Sequence, residues 1–263
     1  MCRVVTRPLT VSSIKVRLVL SEKRLDWESR VLNLHQGDQF RPEYLKLNPN
    51  AVVPTLVDDE RAIIESSVII QYLDERFPEP PLMPSDSYLR AVARGWMKRI
   101  DDLHGDCAAL TFAIAFRRRL ANKTAEELDA RFAAIPNEVM REQQRKAVAL
   151  GIRAPHVVTA LRNYVNVIAA MEDELGRRPY LAGDTYTLAD AAATPYLNRT
   201  VMLGIEGLWR ERRPKVAEWF DRMRQRPSFD ESITKAMTDV DRQNFDVPRE
   251  ESWEEVRRAL EAA

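Results

Sequence analysis

Apolar and polar residues follow two different patterns at the start of the chain. Short runs rich in β-branched and apolar residues predict strands at Arg3–Thr6 and Trp27–Leu32. Between them, the helical spacing of apolar residues predicts a helix over Ser12–Lys23. A short helix is predicted around Pro42–Leu47. A strand, a helix and a second strand in this order indicate a parallel crossover unit.

Two further apolar runs, Thr55–Val57 and Ala62–Ile64, flank the acidic turn Asp58–Glu60 and predict an antiparallel hairpin. A helix over Glu65–Phe77 closes this part of the chain. One parallel crossover followed by an antiparallel pair implies a small mixed sheet with helices on its faces. This is the thioredoxin order of elements, so we predict an α/β, thioredoxin-like N-terminal domain.

Four prolines crowd the segment Pro78–Pro84, which cannot continue a helix and is predicted to be a stiff linker. We therefore place the thioredoxin-like domain at residues 1–80 and an all-helical (all-α) C-terminal domain at residues 86–263. The helices predicted in the second domain are Ser87–Leu120, Thr124–Ala134, Glu138–Leu150, Pro155–Leu175, Leu188–Leu203, Arg213–Gln225, Phe229–Val240 and Arg249–Ala262.

Composition narrows the functional class. The 263 residues include 40 basic and 40 acidic side chains, so a nucleic-acid or other polyanion partner is not expected. The longest nearly apolar run, Cys107–Phe116, is about half of a membrane span, and the N-terminus lacks the apolar core of an export signal. Cys2 and Cys107 are the two cysteines, which favours a reduced cytoplasmic protein over a disulfide framework or a zinc site.

Three hydroxyl groups lie in the turn between the first predicted strand and helix, at Thr10, Ser12 and Ser13. Together with the first free amides of the helix, they converge on one point at the carboxyl edge of the sheet, where an anion is favoured. Simple helix capping explains any one of these hydroxyls taken alone. Three hydroxyls in four residues exceed what one cap requires, so the turn is a candidate functional site.

Two more segments are candidates for a binding role. Pro54 begins a predicted strand. If the peptide bond before it is cis, Val53 presents a free amide and carbonyl to an extended ligand. The alternative is an ordinary proline with a trans peptide bond on an edge strand. Glu65-Ser66-Ser67 opens the next helix. There Ser66 or Ser67 either offers a hydroxyl and free amides to a carboxylate or simply caps the helix.

Four segments together resemble the cytosolic glutathione transferase superfamily over nearly the whole chain. They are Leu9–Arg17, Asn48–Leu56, Glu65–Leu73 and Leu181–Asp190. The resemblance is to serine-type branches such as the zeta class, and the long insert between Asn122 and Pro155 is similar to that of bacterial beta-etherases. It implies glutathione as cosubstrate and a site in the cleft between a thioredoxin-like and an all-α domain.

The resemblance also implies roles by position. Val53, followed by Pro54, is expected to pair through its backbone with the cysteinyl part of glutathione. Glu65 and Ser66 are expected to hold the γ-glutamyl end, and Gln39 lies where a glycyl-end or backbone contact is expected.

For catalysis, Thr10 falls where the zeta and theta classes place the serine that activates the thiolate, Ser12 at the zeta-type cysteine and Ser13 at the serine that begins the helix. We expect Thr10 or Ser12 to contact the sulfur, with Thr10 slightly ahead, and Ser13 to cap the helix. Lowering a thiol pKa from about 8.5 by two units takes about 2.7 kcal/mol of preferential thiolate stabilisation. One charge-assisted hydrogen bond of roughly 1.5–3 kcal/mol and a helix N-terminus together supply this.

The expected reaction is attack of the glutathione thiolate on an apolar, aromatic electrophile, of which an aryl ether is one form. Glutathione-dependent isomerisation of the zeta type is the alternative, whereas thiol–disulfide exchange is disfavoured because residues 10–13 contain no cysteine. A non-catalytic glutathione- or ligand-binding protein is an alternative of a different class. We expect a cytoplasmic homodimer with no metal, nucleic-acid or membrane partner.

The remaining candidates have a structural interpretation first. His104 and Cys107 share a helix face and are expected to pack, with lining of the electrophile pocket as the alternative. Arg117–Arg119 is expected to be a solvated helix end rather than a site for an acidic substrate, and Thr187–Asp190 is typical of a capping box. Three aromatic residues with core spacing lie on the helix from which related proteins build their substrate pocket: Trp96, Phe112 and Phe116.

Overall fold

The computed structural model describes residues 2–34, 36–120, 123–133, 135 and 137–262. The chain forms two compact units. The first comprises Met1–Lys98, Arg177–Pro195 and Glu218–Thr238, and the second comprises Arg99–Gly176, Tyr196–Ala217 and Asp239–Ala263. The domain boundary at residues 80–86 stays a prediction.

The first unit contains the predicted mixed sheet. Its strands are β1 (Cys2–Thr6), β2 (Trp27–Val31), β3 (Thr55–Asp58) and β4 (Arg61–Ile63), in the order β2-β1-β3-β4. β1 and β2 are parallel, whereas β3 is antiparallel to both β1 and β4. Three helices accompany the sheet: α1 (Val11–Glu22), α2 (Pro42–Leu45) and α3 (Ser66–Arg76). This arrangement confirms the predicted thioredoxin-like class.

The central strand β1 is buried on both faces. Val4 and Val5 point to opposite faces because side chains alternate along a strand, and neither is exposed. Val5 packs with Leu32 and with Tyr44 of α2, while α1 and α3 pack against each other. β1 pairs with a strand on each side, and these pairings set the point at which its loops leave the sheet.

Beyond the proline segment, the regular elements that the structure describes are helical. They are α4 (Ser87–Asp102), α5 (His104–Thr111), α6 (Arg117–Leu120), α7 (Ala125–Ala133), α8 (Glu138–Leu150), α9 (Pro155–Leu175), α10 (Leu188–Met202), α11 (Gly207–Arg210), α12 (Pro214–Arg224), α13 (Pro227–Phe229), α14 (Asp239–Asn244) and α15 (Arg249–Glu261). Within the described residues, no helix combines the length and the apolar character needed to cross a membrane. The predicted all-α character of this part is confirmed.

Two predicted helices are divided. The helix predicted over Ser87–Leu120 becomes α4, α5, a π turn at Phe112–Phe116 and α6. The break between α4 and α5 lies at Leu103, whose N–H bonds the nearer carbonyl of Ile100 at 3.1 Å. The helix predicted over Phe229–Val240 is interrupted by a second π turn at Asp230–Thr234. Every residue of the first π turn is apolar and four of the five are buried, so the pattern of apolar positions does not show where the hydrogen bonding changes. Two residues that bound predicted segments, Asn122 and Ala134, lie outside the described residues.

The proline segment is held within the first unit by a buried ammonium group. Lys23 Nζ donates to the carbonyl oxygens of Phe77 at 2.7 Å and Pro80 at 2.8 Å. The N–H of Leu82 donates to Asp74 Oδ1 at 2.8 Å. The ends of α1 and α3 therefore both bind this segment.

Candidate functional site

Three of the predicted site segments leave the sheet at one edge. β3 pairs antiparallel with β1, and Thr55 lies opposite Val5, so the residues before β3 are level with the turn that follows β1. The pairing of Leu56 with Ile63 places the start of α3 at the same edge. The structure thereby brings together the turn at residues 7–13, Val53–Pro54 and Glu65–Ser66.

Thr10 is the N-cap of α1. Its backbone is extended, with φ −73° and ψ 138°, and its Oγ1 accepts a hydrogen bond from the N–H of Ser13 at 3.4 Å. The hydroxyl also lies 3.1 Å from Arg7 O and 2.8 Å from Ser13 Oγ, and its single proton serves one of them at a time. The expectation that Ser13 caps the helix is wrong, because a cap precedes the first helical residue and Ser13 lies inside α1.

Ser12 and Ser13 differ in exposure. Ser13 is fully buried, whereas Ser12 is half-buried. The Ser12 hydroxyl makes no hydrogen bond to any other residue that the structure describes. Ser12 also lies in the first turn of α1, where the helix amides are unpaired and the helix dipole favours negative charge. The turn therefore offers one free hydroxyl beside a positive helix end.

The Val53–Pro54 peptide bond is cis. Val53 is outside β3, and within the described chain neither its N–H nor its carbonyl oxygen is hydrogen-bonded. The neighbouring carbonyl of Val52 accepts from the Tyr44 hydroxyl at 2.5 Å and from Asn48 Nδ2 at 2.8 Å. A free amide and carbonyl on a loop that is braced in this way can pair with an extended peptide.

Tyr44 and Asn48 are supporting residues that the sequence does not single out. Both also lie within hydrogen-bond distance of Thr55 Oγ1, at 2.9 and 3.1 Å. Burial raises the pKa of Tyr44, so its phenol stays protonated and can donate. For Asn48 the sequence does contain a signal, because an Asn-Pro pair favours a turn. For Tyr44 it does not, because the four-residue helix α2 is too short for a pattern that shows which side chain is buried.

Glu65 precedes α3 with φ 69° and ψ 110°, a backbone region that costs a non-glycine residue about 1–3 kcal/mol. Its carboxylate is exposed and the Ser66 hydroxyl is half-buried. Neither side chain is hydrogen-bonded to another described residue. The first amides of α3 are free in the same place, so the segment can receive an anion such as a carboxylate.

Gln39 lies in a short 3₁₀ turn, Asp38–Phe40, in the loop after β2. Its Nε2 is 3.4 Å from Leu34 O, and its Oε1 is buried without a hydrogen-bond partner among the described residues. Because β2 is parallel to β1, this loop leaves the sheet at the edge of the other candidate segments. A donor on a bound ligand would satisfy the buried oxygen.

The weaker candidates on the divided helix have packing contacts in their own units. His104 Nδ1 is 3.3 Å from the Tyr196 hydroxyl. Cys107 is buried, and burial raises the pKa of its thiol, so it is not a poised nucleophile. The ring of Phe116 lies against that of Phe245, with centroids 6.2 Å apart. The two other aromatic candidates are also buried: Trp96 and Phe112.

Arg117 is a structural residue rather than part of a solvated helix end. Its Nε donates to Val148 O at 3.2 Å near the end of α8, while the two arginines that follow are exposed. The buried Asp190 accepts from the N–H of Thr187 at 2.9 Å, the geometry of the predicted capping box. Among the described residues, no group of three His, Cys, Asp or Glu side chains is placed to hold a metal ion.

Two domain models match the chain in sequence. The model "Glutathione S-transferase, N-terminal domain" matches residues 8–81. The model "Glutathione S-transferase, C-terminal domain" matches residues 125–222. The first match contains the three turn hydroxyls, Val53–Pro54 and Glu65–Ser66.

Individual relatives match over different lengths. Protein LigF of Sphingobium sp. strain SYK-6 is 28% identical over 234 residues, 86% of this chain and 90% of LigF. The crystal structure of that protein, called a beta-etherase, has a TM-score of 0.76 at 26% identity and covers 89% of this chain and 99% of LigF. A stringent starvation protein A homolog of Haemophilus ducreyi is 30% identical over 223 residues, 85% of this chain and 85% of that protein.

Zeta-class relatives match over a shorter stretch at higher identity. Glutathione S-transferase Z1 of Arabidopsis thaliana is 50% identical over 78 residues, which is 30% of this chain and 35% of that relative. The matched part of the chain thus spans about a third of the length of these relatives.

Proposed function

Since the chain belongs to the glutathione S-transferase family, we propose that it catalyses attack of the glutathione thiolate on an electrophilic carbon of an apolar, aromatic substrate. The chain has both glutathione S-transferase domains, and glutathione is the cosubstrate of this family. The family inferred from the sequence is confirmed. The observation that carries the proposal is the free main chain of Val53 at the sheet edge that also holds Ser12 and Ser66.

Glutathione is proposed to bind as an extended peptide along this edge. The amide and carbonyl of Val53 pair with the cysteinyl unit, as a neighbouring strand would. The γ-glutamyl carboxylate lies at the first amides of α3 with the Ser66 hydroxyl beside it, and the Glu65 carboxylate binds the α-ammonium of the same unit. The Oε1 of Gln39 accepts from the glycyl end or from the peptide backbone, which supplies the partner that this buried oxygen lacks among the described residues.

Ser12 is proposed as the hydroxyl that donates to the sulfur. Its proton is uncommitted among the described residues, whereas Thr10 caps α1 and lies within reach of Arg7 and Ser13. Sequence position favours Thr10, and the structure provides the reason to prefer Ser12. A hydrogen bond to the thiolate, with the positive end of α1, lowers the thiol pKa and raises the fraction that is nucleophilic at neutral pH.

Cleavage of an aryl ether is the proposed reaction, supported by the similarity to the beta-etherase LigF over 86% of this chain. The thiolate forms a C–S bond to the aliphatic carbon that bears the ether oxygen, and the bond between that carbon and the oxygen breaks. The oxygen leaves as a phenolate, which takes a proton from water. The zeta-class similarity is confined to about a third of the chain, so it supports glutathione binding more directly than isomerisation.

A non-catalytic ligand-binding role is the second candidate. The match that motivates it is to a stringent starvation protein A homolog, which covers 85% of this chain and is not named as a transferase. Both candidates bind glutathione, so a measurement of turnover is needed to distinguish them.

A turnover screen separates them. The purified protein and glutathione are tested against an aryl ether, an aryl halide, an epoxide and a cis-dienoic acid. Release of a phenol with matching loss of free thiol supports ether cleavage. Conversion of the dienoic acid without loss of glutathione supports isomerisation, and binding of glutathione without turnover of any compound supports the non-catalytic role.

We also propose that the protein is a cytoplasmic homodimer. Both cysteines are free and buried, which suits a reducing compartment, and a two-fold pair is the commonest closed assembly. Light scattering at micromolar concentration is expected to give twice the chain mass of 30.3 kDa, and a monomeric mass contradicts the dimer.

A further inference from the structure

Lys15 is a fully buried lysine that reaches the beginning of α3. Its relative exposure is 0%, and its Nζ donates to Ser67 Oγ at 3.0 Å. Ser67 is the second residue of α3 and directly follows Ser66. The contact therefore joins the middle of α1 to the first turn of α3, next to the proposed γ-glutamyl subsite.

A buried ammonium group is costly and seldom found without a specific role. Lys23, directly after the same helix, is a second buried lysine, and its Nζ binds the Asp74 carboxylate and the carbonyl oxygens of Phe77 and Pro80. Lys15 donates to a hydroxyl in the first turn of α3, at the helix end where the dipole favours an anion.

We infer that Lys15 is a positioning residue for the γ-glutamyl carboxylate of glutathione. Its hydrogen bond holds Ser67 and the first turn of α3, and its charge adds to the positive end of that helix in a buried, weakly screened place. Lys15 acts through α3 and does not itself need to touch glutathione. The inference rests on the proposed function, because it concerns the same binding site.

Two ligands that differ in the α-carboxylate of the γ-glutamyl unit test the inference. One is glutathione, and the other is 4-aminobutyryl-cysteinylglycine, which has the same backbone without the α-carboxylate of the γ-glutamyl unit. Calorimetry measures the affinity of wild type, Lys15→Met and Lys15→Arg for both ligands, and the loss of affinity in each variant is compared between the two ligands. We expect Lys15→Met to weaken glutathione binding about tenfold, to leave the analogue within about twofold, and Lys15→Arg to retain most of the affinity.

Lys23→Met is the matched control. It removes a second buried ammonium from α1, at the end where that group binds the proline segment, so it should lower the melting temperature without selective loss of glutathione over the analogue. If Lys15→Met does not fold, Ser67→Ala removes the acceptor and keeps the charge, and a selective loss of glutathione affinity of about threefold or more is then expected.

Equal losses for both ligands in Lys15→Met, or unchanged affinity for glutathione in that variant and in Ser67→Ala, overturn the inference and leave the proposed function intact. A wild-type protein that does not bind glutathione overturns both. Selective loss of glutathione in Lys15→Met, absent in Lys23→Met, supports the positioning role.

Discussion

Lys23 Nζ lies 2.7 Å from Asp74 Oδ1, and the two side chains are 0% and 10% exposed. The ion pair joins the end of α1 to the end of α3. The same two side chains also bind Phe77 and, within the proline segment, Pro80 and Leu82. Removal of one partner leaves a buried charge uncompensated, which is far more destabilising than loss of a surface ion pair.

Asp74→Asn is therefore expected to lower the free energy of unfolding by about 3–5 kcal/mol in urea denaturation at pH 7. The control is Glu142→Gln, which removes an exposed ion pair to Lys146 and should change stability by less than about 0.5 kcal/mol. Equal effects of the two substitutions would show that the buried pair does not hold the proline segment.

Ser66→Ala tests the proposed γ-glutamyl subsite. Loss of a hydrogen bond to a charged carboxylate is expected to weaken glutathione binding by about 1.5–3 kcal/mol in calorimetry, with little change in the melting temperature. Ser85→Ala, at an exposed serine beyond the proline segment, should bind as the wild type does. Unchanged affinity in Ser66→Ala removes this residue from the site.

The turn hydroxyls have separable roles. Ser12→Ala is expected to raise the pKa of bound glutathione thiol by about one unit or more and to leave folding nearly unchanged. Thr10→Val removes the N-cap of α1 and should cost about 1 kcal/mol of stability.

Thiolate absorbance is titrated in Ser12→Ala, Thr10→Val and Ser13→Ala, with melting curves for each. A raised thiol pKa in Thr10→Val alone reassigns the activating hydroxyl to Thr10. If all three variants keep the wild-type thiol pKa, the helix amides stabilise the thiolate without a hydroxyl.

The Tyr72 hydroxyl donates to Asp58 Oδ2 at 2.7 Å, and this bond is the main reason why the pKa of Asp58 is lowered. A carboxyl whose folded-state pKa is lowered stabilises the fold above its unfolded pKa of about 3.9, and the contribution is lost as pH falls through the folded value. Tyr72→Phe should lower the free energy of unfolding by about 1.5 kcal/mol at pH 7.

Urea titrations at pH 7, 5 and 3 should show the difference between Tyr72→Phe and wild type shrink at the lowest pH. Tyr88→Phe, at an exposed tyrosine, is the control and should follow the wild type throughout. A difference that is the same at every pH argues against the Asp58 pairing.

Gly207 has a close neighbour on α15. A Cβ at this position would lie 2.2 Å from the ring of Trp253, whose Nε1 donates to Glu211 Oε1 at 2.9 Å. Gly207→Ala is expected to push this ring away and to cost about 1–3 kcal/mol. Gly95→Ala, inside α4 with no atom within 4 Å of the new Cβ, should instead stabilise by about 0.5–1 kcal/mol. Thermal melts should show a lower melting temperature than wild type for Gly207→Ala and a higher one for Gly95→Ala.

The sequence by itself determined the elements of the first unit and the kind of chemistry at its edge. β1, β2 and the hairpin of β3 and β4 follow from short apolar runs because burial of a strand has a local, regular pattern. The hydroxyl-rich turn and the serines at the start of α3 are also visible locally, since helix ends require residues that satisfy free amides.

Only the tertiary structure decided which of these groups are free and which are engaged. Sheet register brings Val53 level with the turn after β1, and the packing of α1 against α3 joins Lys15 to Ser67 across 52 positions of the chain. Tyr44 and Asn48 brace the loop at Val52 in the same way. These contacts join residues that are distant in sequence or lie in irregular loops, where no repeating pattern of apolar positions records which atoms will meet.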